Sequence, residues 1–591
     1  MAYEIIDAPE ELEQLIIYEI ATKGFTSPNG PESGTFVSME ERIPYLKELG
    51  INAIWLTGHQ MCNSNHFYNI WTEYAVIRPD RLDSSLGTEE EFRHLIQTAH
   101  AHGIMVFLDV ITHGVIEDSP LIEEHPDWFS GGTWEMRDFD WYGGHKDLDE
   151  WWVNLWLWYV EEFGIDGYRL DVAHYRNDLW ALIRKKAAQK GKKLVIIAET
   201  GPAIRGVTDI LQHGEWVSNG KYGTNDSSRI LTDAAGYFRD TQLRKNERYG
   251  VKIFYADGTV QNSVSCGWSP DEKVLEVIKE AAVIERIECE EQEVAYQQQT
   301  NILRVENIYT QKEIRNIQIT DLEDFVWNSN MEGMMGADCW VKYKREKNHL
   351  QVEFPLRVQK GQLMSVQLSC HDNGWEDYPL DENPYGAQGS RYLAGYGAIL
   401  APAVPVFMAG EEFDADYRPL PGLSPKLYGG ENPGKGRWLY GSWLDWEQLK
   451  RPEKAQMLED MKRIIHIRRS NFDLIRPCRM EDEECGYKAV WYEASKELPV
   501  PYCYGKDKTV ILIAANPYTD EDVSVKFDFG EILDAEAIWQ VDLLFGIENG
   551  NGGELKGTSK ELSNRSFVIK RDKTSQGGLL VLKLQLLDEF R

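Results

Sequence analysis

Three patterns are missing from this chain, and each absence removes a class of function. No run of about 18 apolar residues occurs, the length a helix needs to cross a bilayer, so no membrane-spanning helix is expected. Basic residues are scarce: 63 Lys and Arg stand against 96 Asp and Glu, a net charge of −33. Such a field repels phosphate backbones and anionic membranes, and it suits a neutral ligand. Paired cysteines are also lacking. Cys62, Cys266, Cys289, Cys339, Cys370, Cys478, Cys485 and Cys503 are scattered and form no C-x-x-C, so no zinc site is expected. Low cysteine density in a chain this long favours free thiols and a reducing compartment. The first residues, MAYEIIDAPEELEQLIIYEI, show no basic segment leading into an apolar core. No secretory signal is expected, and a cytoplasmic location is.

Four apolar runs, by contrast, finish in acids or histidines. Residues 103–114, GIMVFLDVITHG, end in Asp109 and His113. Residues 164–174, GIDGYRLDVAH, carry Arg169 and Asp171 two apart, hence on one side of a strand. A guanidinium fork beside a carboxylate holds it ionised and oriented, as a nucleophile requires. Residues 192–200, KKLVIIAET, end in Glu199, and residues 363–375, LMSVQLSCHDNGW, end in His371 and Asp372. Continuous apolar runs suit parallel strands buried on both faces. In a (β/α)8 barrel the residues at their carboxyl ends meet at one mouth.

These four segments, in this order, resemble those of the α-amylase family (glycoside hydrolase family 13). The resemblance implies an α/β fold: a (β/α)8 TIM barrel with an insertion and a C-terminal antiparallel β-sandwich. It implies a retaining α-glycosidase acting on α-linked glucose oligosaccharides or glucans. Asp171 would be the nucleophile, Glu199 the general acid/base and Asp372 the transition-state stabiliser. Substrate contacts would come from Tyr68, in HFYNIWTEY, and from His371 and His174, while Arg169 orients Asp171 and Asp109 supports the arginine. Asp147, in HKDLD, falls in a weaker family segment. The family's first segment carries Asn and then His where this chain has His113 and Gly114. The Asn is a frequent calcium ligand, so no metal or cofactor is assigned here, and His113 is expected to take the absent histidine's place beside the substrate.

Alternation of strands and helices predicts the barrel's run along the chain. IYEI (17–20) and AIWL (53–56) read as the first two strands, with helices over 39–50, 88–102, 151–163 and 178–190. Residues 114–145 form an excursion after the third strand. Between Glu199 and His371 the chain is too long for two helices and one strand. An inserted subdomain is expected over about 240–350, with a helix at 271–288 and strands within 302–320, and the sixth barrel strand has no clear place. A helix over 390–400, an eighth strand within 403–413 and a helix over 452–470 close a catalytic barrel of residues 1–474. Beyond it, YKAVWYE, TVILIAANP and DVSVKFDF begin a series of short strands, a β-sandwich over 475–591. The aromatic residues, 20 Trp and 28 Tyr, belong mostly to cores, with some available to stack on sugar rings. Two other functions use the same residues: α-glucan transglycosylation, with a sugar hydroxyl in place of water, and a non-catalytic sugar-binding or scaffold role.

Overall fold

The structure is a computed structural model. It describes residues 10–62 apart from 31–32, 73–171 apart from 133–135 and 142, 176–199, 401–419, 442–477 and 487–587 apart from 531 and 548–554; between 205 and 400 it describes strand segments and short turns. Eight strands close into a barrel: β1 (Ile17–Ala21), β2 (Ala53–Thr57), β3 (Met105–Ile111), β4 (Gly167–Asp171), β5 (Val195–Ala198), β6 (Met335–Trp340), β7 (Leu363–Gln367) and β8 (Val404–Met408). All neighbours are parallel, and β8 pairs back onto β1.

Local signals account for the helices around it. In α1 (Ile43–Leu49) the chain stops on Gly50, whose φ of 104° suits a left-handed helix end. A side chain there would collide with Ile465, at 2.7 Å from an added Cβ. In α2 (Glu89–Ala101) Thr88 and Glu91 form a reciprocal capping box, and three glutamates occupy the dipole's positive end. Its buried residues, Phe92, Leu95, Ile96 and Ala99, recur at helical spacing. The tryptophan-rich helix α3 (Lys146–Phe163) packs against α4 (Asn177–Gln189), where Trp152 and Trp156 meet Trp180 with ring centroids 6.0 Å apart. Those rings are barrel packing, as most aromatic residues were expected to be.

Helix α5 (Pro452–Ser470) closes the barrel, and Arg468 on it donates to the carbonyls of Ile399, Ala401 and Ala403 ahead of β8. Against this end lies an antiparallel six-stranded sheet that includes Tyr502–Lys506, Thr509–Ala515 and Leu579–Leu586. Within Thr509–Ala515, Ile511 and Ile513 join the core around the barrel. Val510 and Leu512 face a three-stranded sheet instead. Burial on both faces explains why this strand reads as an unbroken apolar run.

The stretch between β5 and β7 differs from expectation. Antiparallel four-stranded sheets draw strands from Arg205–Gly206 through Ile314–Asp321, starting earlier than residue 240. The sixth barrel strand, Met335–Trp340, lies inside the 240–350 stretch read as insertion, so the last part of that stretch is barrel. The expected helix at 271–288 lies outside the described residues, as does most of the one at 390–400.

Candidate active site

The barrel's inner face changes chemistry along its length. Near the amino ends of the strands, Ile17, Ala53, Phe107, Val195, Val404 and Val406 form one buried cluster with Leu12 and Leu15. Residues two apart share a face of a strand. Further along the same rows come Glu19, Asp109, Arg169, Asp171 and Glu199. The apolar half closes the barrel floor and excludes water; the polar half makes its carboxyl-end mouth.

Arg169 organises that mouth. It stands opposite Asp109 across β3 and β4, and each side chain is only 2% exposed. Its Nη1 lies 3.2 Å from Asp109 Oδ1 and 2.9 Å from Asp171 Oδ1, and its Nη2 lies 3.6 Å from Glu199 Oε1. The guanidinium also sits over the Trp55 ring, 4.9 Å from its centroid. Asp109 takes two further donors on Oδ2, Trp55 Nε1–H at 3.0 Å and Tyr74 O–H at 2.8 Å. A buried arginine is tolerated only when its charge is matched and its donors are used. One fork therefore joins three carboxylates from three adjacent strands.

The charge balance at the mouth is acidic. Burial pushes the Asp171 carboxyl up to about 7, the charge of Glu199 adds to this, and Arg169 and His113 pull the other way. Two interacting carboxyl groups on one guanidinium titrate as a pair. Asp171 holds the shorter contact to the arginine.

His113 also reaches Asp171. The ring is buried, with Nε2 3.7 Å from Asp171 Oδ2 and Nδ1 3.6 Å from Asp138 Oδ1. Asp171 thus has Arg169 on one oxygen and His113 on the other. Calcium prefers oxygen donors, and an imidazole turned toward two carboxylates does not supply one. The residues present do not fit a calcium ion at this position. Among the described residues no group of three or more His, Cys, Asp and Glu is arranged to hold a metal ion.

His371 lies beyond β7, buried, with the Tyr74 ring stacked on it at 4.8 Å. Its Nδ1 is 2.5 Å from Glu19 Oε1 and 3.2 Å from the Tyr74 hydroxyl. Asp109, His113, Arg169, Asp171, Glu199 and His371 thus belong to one connected region. Asp372, Tyr68 and His174 lie outside the described residues. Asp147 lies elsewhere, accepting from Trp128 Nε1–H in the first turn of α3. Sequence reasoning missed Glu19, Trp55 and Tyr74. A signal existed for Glu19, a carboxylate in the middle of the otherwise apolar run IYEI. The other two read as ordinary aromatic packing.

Residues 19–146 match the family model for the α-amylase catalytic domain. A maltogenic α-amylase of Bacillus acidopullulyticus is 27% identical over 240 residues, 33% of this chain and 40% of its own. A 1,4-α-glucan-branching enzyme of Aspergillus oryzae is 32% identical over 174 residues, 28% of this chain and 24% of its own. The matched stretches thus span less than half the length of these relatives. Among solved structures, a noncanonic maltogenic α-amylase of Thermotoga neapolitana shares the fold, with a TM-score of 0.53 at 17% identity over 98% of this chain and 100% of that one. No helix among the described residues is long and apolar enough to cross a membrane. Residues 19–146 of this barrel are thus similar to an α-amylase catalytic domain, and the chain shares the fold of the solved amylase.

Proposed function

We propose that the protein is a retaining α-glycosidase acting on α-linked glucose oligosaccharides or glucans by double displacement. One observation carries the reading: a single buried guanidinium lies 2.9 Å from Asp171 and 3.6 Å from Glu199 at the ends of neighbouring strands. Retaining glycosidases need two carboxyl groups about 5 Å apart, one to attack and one to give a proton. Asp171, anchored by Arg169, attacks the anomeric carbon. Glu199 protonates the departing glycosidic oxygen, and a glycosyl ester forms on Asp171. Glu199, now a carboxylate, takes a proton from water, which attacks the same carbon and releases Asp171. In this reading Asp372 holds sugar hydroxyls as positive charge develops on the ring, His371, Tyr68 and His174 contact the sugar, and His113 stands beside the nucleophile. The barrel would be the catalytic unit, with the sheets beyond about residue 475 as a separate domain, and the protein would work in the cytoplasm.

The test is a fluorinated α-glucosyl fluoride, which traps slow-turning glycosyl esters. Mass spectrometry of the digested protein should place the label on Asp171. A label elsewhere would assign another nucleophile, and none while glucan still binds would favour a sugar-binding role. Transfer to a sugar hydroxyl is the second reading, favoured by the branching enzyme among the relatives. Longer or rearranged products from maltooligosaccharides would establish it; only shorter ones mean hydrolysis.

A further inference from the structure

We propose that Glu19 is the positioning residue of His371, holding the imidazole protonated on Nδ1 and turned so that Nε2 addresses the ligand. The inference rests on the glycosidase reading for its consequence, but the pairing itself stands on geometry. Glu19 is 0% exposed, in the middle of β1, every residue of which is buried. An isolated carboxylate there would cost several kcal/mol of desolvation. Its main compensation comes from His371, 352 positions away, with the Arg169 charge adding to it. Glu19 Oε1 lies 2.5 Å from His371 Nδ1 and accepts the His371 backbone N–H at 3.3 Å. An oxygen that already accepts the backbone N–H acts as the acceptor, so the shared proton belongs on Nδ1.

The surroundings hold the ring in this orientation. Tyr74 stacks on one face at 4.8 Å, with ring planes 27° apart, and Trp55 meets it edge-on at 5.9 Å. The charged and titratable groups around the pair are Glu19 on β1, Tyr74 and Glu73 between β2 and α2, Asp109 on β3, Arg169 on β4 and Tyr417 beyond β8. Tyr74 donates to Asp109, whose charge is taken up by Arg169. Among the described residues, Glu19 is therefore the one carboxylate within hydrogen-bond reach of the imidazole. Its charge favours the doubly protonated ring, in which Nδ1–H donates to Glu19 and Nε2–H is free to donate to a sugar hydroxyl instead of accepting from it. Such a bond strengthens as the sugar gains positive character and its hydroxyls become more polar.

The experiment compares the full-length protein with Glu19→Gln, which keeps shape and removes charge. In protein labelled with 15N-histidine, with the His371 signals assigned by their loss in His371→Gln, the wild-type ring should stay protonated to a pH at least one unit higher than in Glu19→Gln. With maltooligosaccharides, kcat should fall about tenfold while KM changes less than threefold, and thermal unfolding should remain cooperative. Unchanged His371 titration in Glu19→Gln overturns the proposal, whatever happens to the rate. A wild-type protein that turns over no α-glucoside refutes the glycosidase reading instead, and the 15N titration then decides the pairing by itself.

Discussion

Removing the Arg169 guanidinium tests the electrostatic reasoning most directly. Arg169→Met keeps the length and apolar stem of the side chain and removes the fork. A hydrogen bond to a charged group contributes about 1.5–3 kcal/mol, and about 1.4 kcal/mol corresponds to one pKa unit. Asp171 would lose its 2.9 Å contact to Arg169 while keeping the burial and the Glu199 charge that raise it to about 7. Its carboxyl should therefore rise by about 1–2 units. A nucleophile must be ionised, so raising its pKa moves the acid limb of the activity profile to higher pH by the same amount. At pH 7, where about half is ionised to begin with, the ionised fraction falls about 5- to 50-fold. Asp109, 2% exposed, would keep only its Trp55 and Tyr74 donors. Breaking a buried pair in this way costs about 3–5 kcal/mol. The assay is initial rate on an aryl α-glucoside between pH 5 and 9, with circular dichroism as a control for folding. Arg169→Lys, which keeps the charge without spanning three carboxylates, should fall between the two. A folded Arg169→Met protein whose acid limb stays in place would refute the account of how Asp171 is held.

Three further outcomes follow from the same geometry. Glu199→Gln should slow hydrolysis of unactivated maltooligosaccharides by about 10²–10⁴-fold yet still release fluoride from an α-glucosyl fluoride in a first turnover; equal loss on both substrates would remove Glu199 as the acid. His113→Gln removes the ring that pulls the Asp171 carboxyl down from its second oxygen, so the acid limb should again move upward, in a pH–rate profile; turnover unchanged at every pH would leave His113 without a role. Burial pushes Glu412 up to about 7, although Tyr45 and Tyr18 donate to it at 2.6 and 2.9 Å. Its folded value exceeds its unfolded one, so its stabilising effect is complete at acid pH and is lost as pH rises from about 4.5 to about 7. Urea unfolding should show wild type losing on the order of 3 kcal/mol across that window; a Glu412→Gln protein with the same loss would contradict the assignment.

Local pattern carried much of the fold because much of it is local. Helix α5 is legible over its full length, 452–470, from Pro452 at its start and the apolar spacing behind it. The strand rows that end in Asp109, Asp171 and Glu199 are legible because two apolar layers bury them and polar residues appear only at the mouth. The sixth strand is not. MGADCW carries little apolar signal, and it joins β5 through a single residue pair, Ala337 with Ala198. Its place depends on closure of the barrel, which no window of sequence contains.

The candidate site divides in the same way. Sequence by itself determined which carboxylates stand at strand ends and that Arg169 and Asp171 share a face, because a strand's period of two is a backbone property. Only the tertiary structure decided that Arg169 joins Asp109, Asp171 and Glu199, that His113 lies against Asp171, and that Glu19 and Tyr74 hold His371. Those contacts cross from strand to strand around a closed barrel, between residues as many as 352 positions apart. Their energies come from burial and charge pairing, which exist only once the strands have met.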